Sequence, residues 1–248
     1  MLCDIIFDMN IILFHSMPEG GLIPLSDERA QHIVSVLKLK EGDSFRMGIV
    51  NQSEGEAKIS RIDDEGVHFD YVQNCVPSLY PVTLLCAQVR PICMKRILRE
   101  AVSLGVGRII LCGSDTGEKS YLSSNLYKTG EYKEFLLDGA MQSSHAGIPE
   151  VMFAETAFGA VKMAAQTSPE GTSFVMLDNV VGATALSQAK IGPYAVLAIG
   201  PERGWSDRER KLFSDNGYSP MLLGSRVLRT ETACSAGIAV LLSRMSFL

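Results

Sequence analysis

Beyond Pro81 the chain alternates short, unbroken apolar runs with helical stretches, and this pattern limits the possible folds more than any other feature. The runs are VTLLCAQV (82–89), RIILCG (108–113), SFVMLD (173–178), YAVLAIG (194–200) and PMLLG (220–224). A strand that is apolar on both faces must be covered on both, which predicts a mostly parallel sheet between layers of helix. Helices are expected from Lys95 to Leu104, in a longer stretch through Asp138, and at the end of the chain; Gly105, directly after VSL, suits a helix C-cap. The first seventy or so residues follow another rule. MNIILF, SFRMGIV, GEAKIS and VHFDYV read as short strands broken by Glu41-Gly42-Asp43 and Asp64-Glu65-Gly66, with one helix over Ser26 to Leu37. This predicts a small β-barrel domain. Asn74 to Pro81 contains two prolines and loses periodicity, so it reads as the linker, with domains expected at 1–76 and 77–248.

Composition excludes several classes. With 46% hydrophobic and 21% charged residues the chain can bury a full core. Its apolar start carries Asp4 and Asp8 and no basic segment, so no signal peptide is expected. Nor is there an uninterrupted run of roughly 18 apolar residues that could span a membrane; a soluble, cytoplasmic protein is the expectation. Cys3, Cys75, Cys86, Cys93, Cys112 and Cys234 are scattered without a C-x-x-C pair, which reads as free thiols and no metal. The net charge of −5 confines any nucleic-acid grip to a local basic patch. Gly113 to Ser120, GSDTGEKS, mimics a phosphate loop but has three residues between its glycines and Glu118 where the lysine belongs. Gly105-Val-Gly107 precedes its strand and lacks a third glycine, so a dinucleotide fold is not supported either.

Two segments carry chemistry. In AIGPERGWSDRER, Ala198 to Arg210, a buried strand ends at Gly200, Pro201 stiffens the turn, and Ser206 with Glu209 forms a capping-box pattern that starts a helix. In LLGSRVLRTETACSAGIAVL, Leu222 to Leu241, a strand ends at Gly224, Arg226 and Arg229 follow, and the next helix opens with small residues. Ligands dock at such strand ends, and two arginines there can clamp a phosphate or carboxylate. Taken singly, each segment is better read as a rigid connection without a ligand.

Taken together they resemble the SPOUT methyltransferases, in particular the 16S ribosomal RNA uracil-N3 methyltransferases of the ribosomal RNA small subunit methyltransferase E family. The resemblance rests on Gly-Pro-Glu at 200–202 with Gly204, Ser206 and Glu209, on LGSRVLRTETA from Leu223 to Ala233, on Gln142-Ser143 with Ile148-Pro149-Glu150, on Leu104-Gly105-Val106, and on HIVSVLKLKEGD from His32 to Asp43. These keep the family's order over nearly the whole chain. Arg203 stands where the family has the first glycine of a pair, His145 where it has arginine, Ser103 where it has glutamate, and Lys38 where it has arginine. A left-handed backbone at Arg203 would be strained.

The resemblance implies a C-terminal α/β domain with a deep trefoil knot and a mostly parallel sheet, preceded by a PUA-like β-barrel that binds RNA. It implies a homodimer, no metal, and S-adenosylmethionine held by Leu177, Ile199, Gly200, Pro201, Glu202, Leu223, Gly224, Val227, Leu228 and Thr230. The partner would be 16S ribosomal RNA of the small subunit. Methyl transfer to uracil N3 requires a proton acceptor and stabilisation of the anion that forms on the base. Arg229 is the expected stabiliser, and Glu231 or Glu202 the acceptor. Arg29, His32, Lys38, Arg90, Lys95, Arg99, Gln142, Arg203 and Arg226 are the expected RNA contacts. The alternatives are a SPOUT enzyme acting on another RNA position and a non-catalytic ribosome-assembly factor that binds RNA.

Overall fold

The computed structural model describes residues 11–179 and 183–248. Cys3, Asp4, Asp8 and the start of the expected MNIILF strand lie outside the described residues. The chain divides into two compact units: Met1–Ser78 with Ala140–Ile148, and Leu79–Gly139 with Pro149–Leu248.

The first unit is a curled five-stranded sheet. Its strands are β1 (Ile12–Phe14), β2 (Leu22–Pro24), β3 (Ser44–Ile49), β4 (Ser53–Ile62) and β5 (Gly66–Cys75), in the order β1-β3-β4-β5-β2. β1 and β3 run parallel and the other pairs antiparallel. Alternation does what the sequence reading expects: Phe45, Met47 and Ile49 of β3, Ala57 and Ile59 of β4, and Val67 and Phe69 of β5 share one core with Ile33. The expected helix exists but is shorter. α1 (Glu28–Gln31) starts where the Asp27 side chain accepts the Arg29 amide, then widens into π-type turns over His32–Val36. The 140–148 segment joins this unit through buried Glu54, which accepts the Ala146 amide at 2.7 Å, and through Asn51, which exchanges two hydrogen bonds with the Ile148 backbone.

The second unit holds β6 (Tyr80–Ala87), α2 (Pro91–Ser103), β7 (Val106–Cys112), α3 (Asn125–Lys128), α4 (Tyr132–Gln142), β8 (Glu150–Ala154), α5 (Ala157–Thr167), β9 (Thr172–Leu177), β10 (Thr184–Ala185), β11 (Tyr194–Ile199), α6 (Asp207–Asp215), β12 (Ser219–Leu222) and α7 (Thr230–Arg244). The last residues of α4 group with the first unit. All pairings in the sheet are parallel, in the order β10-β12-β9-β11-β6-β7-β8. Val196 and Ala198 of β11 face α5 and α6 in a core with Trp205, Phe213 and Tyr218. The alternate residue Leu197 faces α7, where a β-carbon on Gly237 would lie 2.7 Å from Leu177 and 3.2 Å from Leu197. The small residues at the start of α7 therefore let that helix sit close on the strand ends, and Ser235 bonds Glu100 of α2 beside it.

Several expectations need correction. The linker is only residues 76–79, because Asn74 and Cys75 finish β5 and Tyr80-Pro81 open β6. Pro81 is tolerated there because the β6–β7 register is irregular between Tyr80 and Thr83, so its missing donor costs no ladder bond. α2 begins at Pro91, four residues before the expected start, with proline at its first turn, where an amide would be unsatisfied anyway. The long helix through Asp138 is instead a 3-10 turn at Lys119–Ser123 followed by α3 and α4, with Gly130 in a left-handed conformation between them. β8 and α5 escaped the sequence reading altogether. Gly105 has φ 75° just past α2, as a C-cap glycine should.

Candidate active site at the carboxyl ends of the strands

β9, β11 and β12 end level with one another: Leu177 pairs with Ile199 on one side and with Met221 on the other. Their three loops therefore leave from one rim, the usual docking edge of a parallel sheet. The loop after β11 is a tight turn in which the Gly204 amide donates to the Pro201 carbonyl at 2.8 Å. Gly204 has φ 69°, whereas Arg203 is not among the residues with positive φ. The left-handed residue is thus the glycine this chain retains, and arginine at 203 is unstrained and exposed. Gly200 is fixed by a different requirement, since a β-carbon there would lie 3.2 Å from the Trp205 nitrogen. α6 then begins with a complete capping box between Ser206 and Glu209.

The phosphate-loop lookalike braces this turn. Thr116 donates to the Gly204 carbonyl at 2.6 Å, the Asp115 amide donates to Glu209 at 2.9 Å, and the Asp115 carboxylate takes bonds from Ser206 and Arg208. The Arg208 guanidinium, helped by the Ser206 hydroxyl, holds the Asp115 carboxyl below the usual carboxylate range. A second brace joins Arg210 of α6 to Asp178 after β9 at 2.6 Å. That pair neutralises a carboxylate on the rim.

Two cavities result. The first, about 110 Å³, is lined by Leu177, Ile199, Gly200, Pro201, Glu202, Leu223, Val227, Leu228 and Thr230, which are nine of the ten residues expected to hold the methyl donor; Gly224 is not among them. Its wall runs to Asn179, and the next three residues are not described. The second, about 620 Å³, is lined by Arg90, Cys93, Arg203, Arg229, Glu231 and residues of the 116–121 loop. Glu202, Val227, Leu228 and Thr230 line both. The three expected catalytic residues, Arg229, Glu231 and Glu202, thus share one wall system. Glu202 accepts the Arg90 amide at 3.4 Å. Burial pushes the Cys93 thiol up, and the carboxylates of Glu231 and Glu202 push it further, so Cys93 stays neutral near neutral pH.

The expected RNA contacts divide into groups. Arg90 and Arg203 line the second cavity and Arg226 the first. Lys95 and Arg99 line neither: they pair with Glu131 and Asp138 and lie over the Phe135 ring. Arg29, His32, Lys38 and Gln142 belong to the first unit. There Arg29 is bound to Asp27 and the Leu13 carbonyl, and Lys38 adopts φ 56°. His145 lies 3.4 Å from Glu54. The sequence reading missed Asp178, Asn179, Met221 and Ala233 around the first cavity and Cys93 and Tyr121 around the second. Asp178 and Asn179 could have been found, since Asp178 ends the recognised run SFVMLD and Asn179 directly follows it.

Residues 77–242 match the RNA methyltransferase domain family, and residues 25–70 match the RNA methyltransferase PUA domain. Ribosomal RNA small subunit methyltransferase E of Treponema pallidum is 35% identical over 242 residues, covering 95% of this chain and 91% of that protein. The chain belongs to the ribosomal RNA small subunit methyltransferase E family. Within that family, methyltransferase E 1 of Borreliella burgdorferi is 30% identical, covering 96% of this chain and 98% of its own length. The crystal structure of the Neisseria gonorrhoeae methyltransferase E bound to S-adenosyl methionine superposes with a TM-score of 0.74 at 21% identity, over 95% of this chain and 97% of that one. A Legionella pneumophila protein solved with the cofactor SAM bound gives 0.75 at 25% identity, over 96% and 98%. The expected SPOUT-type α/β domain with a PUA domain before it is therefore what this family member has.

Proposed function

We propose that this protein transfers a methyl group from S-adenosylmethionine to N3 of a uridine in 16S ribosomal RNA of the small subunit, as a cytoplasmic homodimer without a metal. The observation that carries the proposal is the pair of cavities with a common wall that includes Glu202, one floored by strand ends, the other bearing Arg229 and Glu231. The residues of the first suit the donor. Leu177, Leu223 and Leu228 offer apolar faces for an adenine, and the Asp178 charge is already met by Arg210, so the site does not hold a cation so tightly that reaction is opposed.

When bound, S-adenosylmethionine supplies an electrophilic methyl group on a sulfonium. The chain's own work is to position, to take a proton and to balance charge. Leu228 and Thr230, on the common wall, set the distance between the two occupants. Glu202 or Glu231 accepts the N3 proton of the uracil. Arg229, at the N-cap of α7, stabilises the negative charge that spreads to the uracil carbonyls. The base must be unpaired to enter, because N3 is engaged in a duplex. Arg90 and Arg203 at the rim hold the neighbouring phosphates. In this reading residues 1–76 form the RNA-binding domain and 77–248 the catalytic one. The β12-to-α7 segment, which follows a strand inserted between β9 and β6 and returns to α2 and β11, is the closing pass of a trefoil knot.

Mass-spectrometric mapping of 3-methyluridine in 16S ribosomal RNA tests the proposal. RNA from cells lacking the protein should lose one modified uridine, and re-expression should restore it. An unchanged nucleoside map would overturn the assignment.

A further inference from the structure

The Arg229 cavity holds partners for the edge of a uracil, but the residues named above leave its faces untouched. Arginines and carboxylates bond a base in its own plane, where N3 and the carbonyls lie. A flat ring held only by its edge can still pivot about that line, so a wall against its face is the missing restraint. Tyr121 is the one aromatic among the described residues that line this cavity, which at about 620 Å³ has the usual size of a small-molecule site.

The Tyr121 ring is available while its backbone is held. Other aromatic rings of the same unit are packed: Tyr127, Tyr132 and Phe153 lie on one another, and Trp205 and Tyr218 lie on Phe213. Tyr121 is half-buried, meets no other ring and no cation among the described residues, and its hydroxyl bonds to no group of these residues. Its backbone belongs to the 3-10 turn at Lys119–Ser123, where the Tyr121 amide donates to the Glu118 carbonyl at 3.1 Å and the Ser124 amide to the Tyr121 carbonyl at 3.2 Å. Before the turn, the Thr116 bond to the Gly204 carbonyl ties the same loop to the segment that carries Glu202. After it, Leu122 packs on Gly113, where a β-carbon would lie 3.1 Å from Leu122 Cδ1. Leu122 lines a separate cavity, so successive residues of the turn serve opposite sides. A fixed aromatic with no packing partner, on the wall of a cavity rich in charge, meets the requirements of a stacking surface for a base.

We propose that Tyr121 is the platform on which the unpaired uracil stacks in the Arg229 cavity. One face of the base rests on the phenol ring, while its edge presents N3 to Glu202 or Glu231 and its carbonyls to Arg229. Stacking tolerates any base, because every base has a π-face. Tyr121 therefore supplies affinity and orientation, and the choice of uracil stays with the edge groups. This deepens the proposed function and rests on it in taking the base to be uracil.

NMR titration of uridine 5′-monophosphate into the full chain tests the platform without RNA or turnover. On binding, uracil H5 and H6 should move upfield in the ring current of Tyr121. Tyr121→Phe keeps the π-face and should retain the shift, with affinity within about twofold. Tyr121→Leu keeps apolar bulk without a π-face; it should lose the shift and bind at least about fivefold more weakly, the lower end of what stacking one base contributes. Calorimetry should find S-adenosylmethionine binding unchanged in both variants, which separates the effect from misfolding. Undiminished binding in Tyr121→Leu, equal losses in the two variants, or no binding of the nucleotide to the wild type would overturn the proposal. Should Tyr121→Leu bind as the wild type does while 3-methyluridine disappears from cells lacking the protein, the platform fails and the methyltransferase reading stands. Stacking that depends on Tyr121, together with an unchanged nucleoside map, upholds the platform and counts against that reading.

Discussion

The two units bury cores by opposite rules, and the site follows from the difference. In the curled sheet, neighbours in sequence are mostly neighbours in space: β3, β4 and β5 form consecutive antiparallel pairs with one apolar face each. In the parallel sheet, β11 sits between β9 and β6, and β12 passes to the far side of β9. That order brings segments from 177 to 233 onto one rim and leaves their loops free to line cavities. An antiparallel sheet spends its strand ends on hairpins; a parallel one gathers all its carboxyl ends on one edge. Chemistry should therefore be sensitive to substitutions in the second unit, and substrate affinity to those in the first.

The largest effect is expected at Arg229. Arg229→Ala should lower turnover by about 10²–10³-fold, the usual loss when a group that stabilises developing charge is removed. Methyl incorporation from labelled S-adenosylmethionine measures it, and calorimetry should find donor affinity nearly unchanged. A wild-type rate would end the assigned role. In the first unit, Lys38→Gln should weaken RNA binding several-fold and reduce the slope of log affinity against log salt by about 1, with turnover at saturating RNA preserved. Loss of turnover there would break the division between the units.

Smaller effects probe the brace beneath the turn. Ser206→Ala removes the cap of α6 and should cost about 1 kcal/mol in chemical denaturation. Asp115→Asn tests the same brace through pH. The native Asp115 carboxyl is held below its ordinary value, so its contribution is present above the unfolded value and fades as pH falls through the native one. Wild type and variant should differ at neutral pH and converge only once the pH has fallen below the lowered value of the native carboxyl. A gap independent of pH would mean that the Asp115 charge does not hold the loop.

How much of this was legible depends on how local the signal is. The capping box at Ser206 and Glu209, the C-cap at Gly105 and the alternation of Phe45, Met47 and Ile49 are all written within a few residues, and the structure has them as read. β8 was missed because EVMFA is short, with an exposed Phe153 and only Ala154 buried, so neither alternation nor a full apolar run marks it. α5 was missed because AFGAVKMAAQT reads as small residues, whose packing against Trp205 and Phe213 depends on distant strands. GSDTGEKS braces the turn after β11, and that role needs partners some ninety residues away, which no local spacing discloses. Strand order is equally hidden, since parallel neighbours are joined by connections too long to carry a register.

The cradle where the 200–202 and 223–230 segments meet is best tested by titrating S-adenosylmethionine into the full chain and into Gly200→Val by isothermal calorimetry. Binding of one donor per chain to the wild type, weakened at least about tenfold by side-chain bulk at the Gly200 turn, a loss of about 1.4 kcal/mol, is the predicted result. Donor binding of equal strength in both proteins would place the ligand elsewhere and contradict the account.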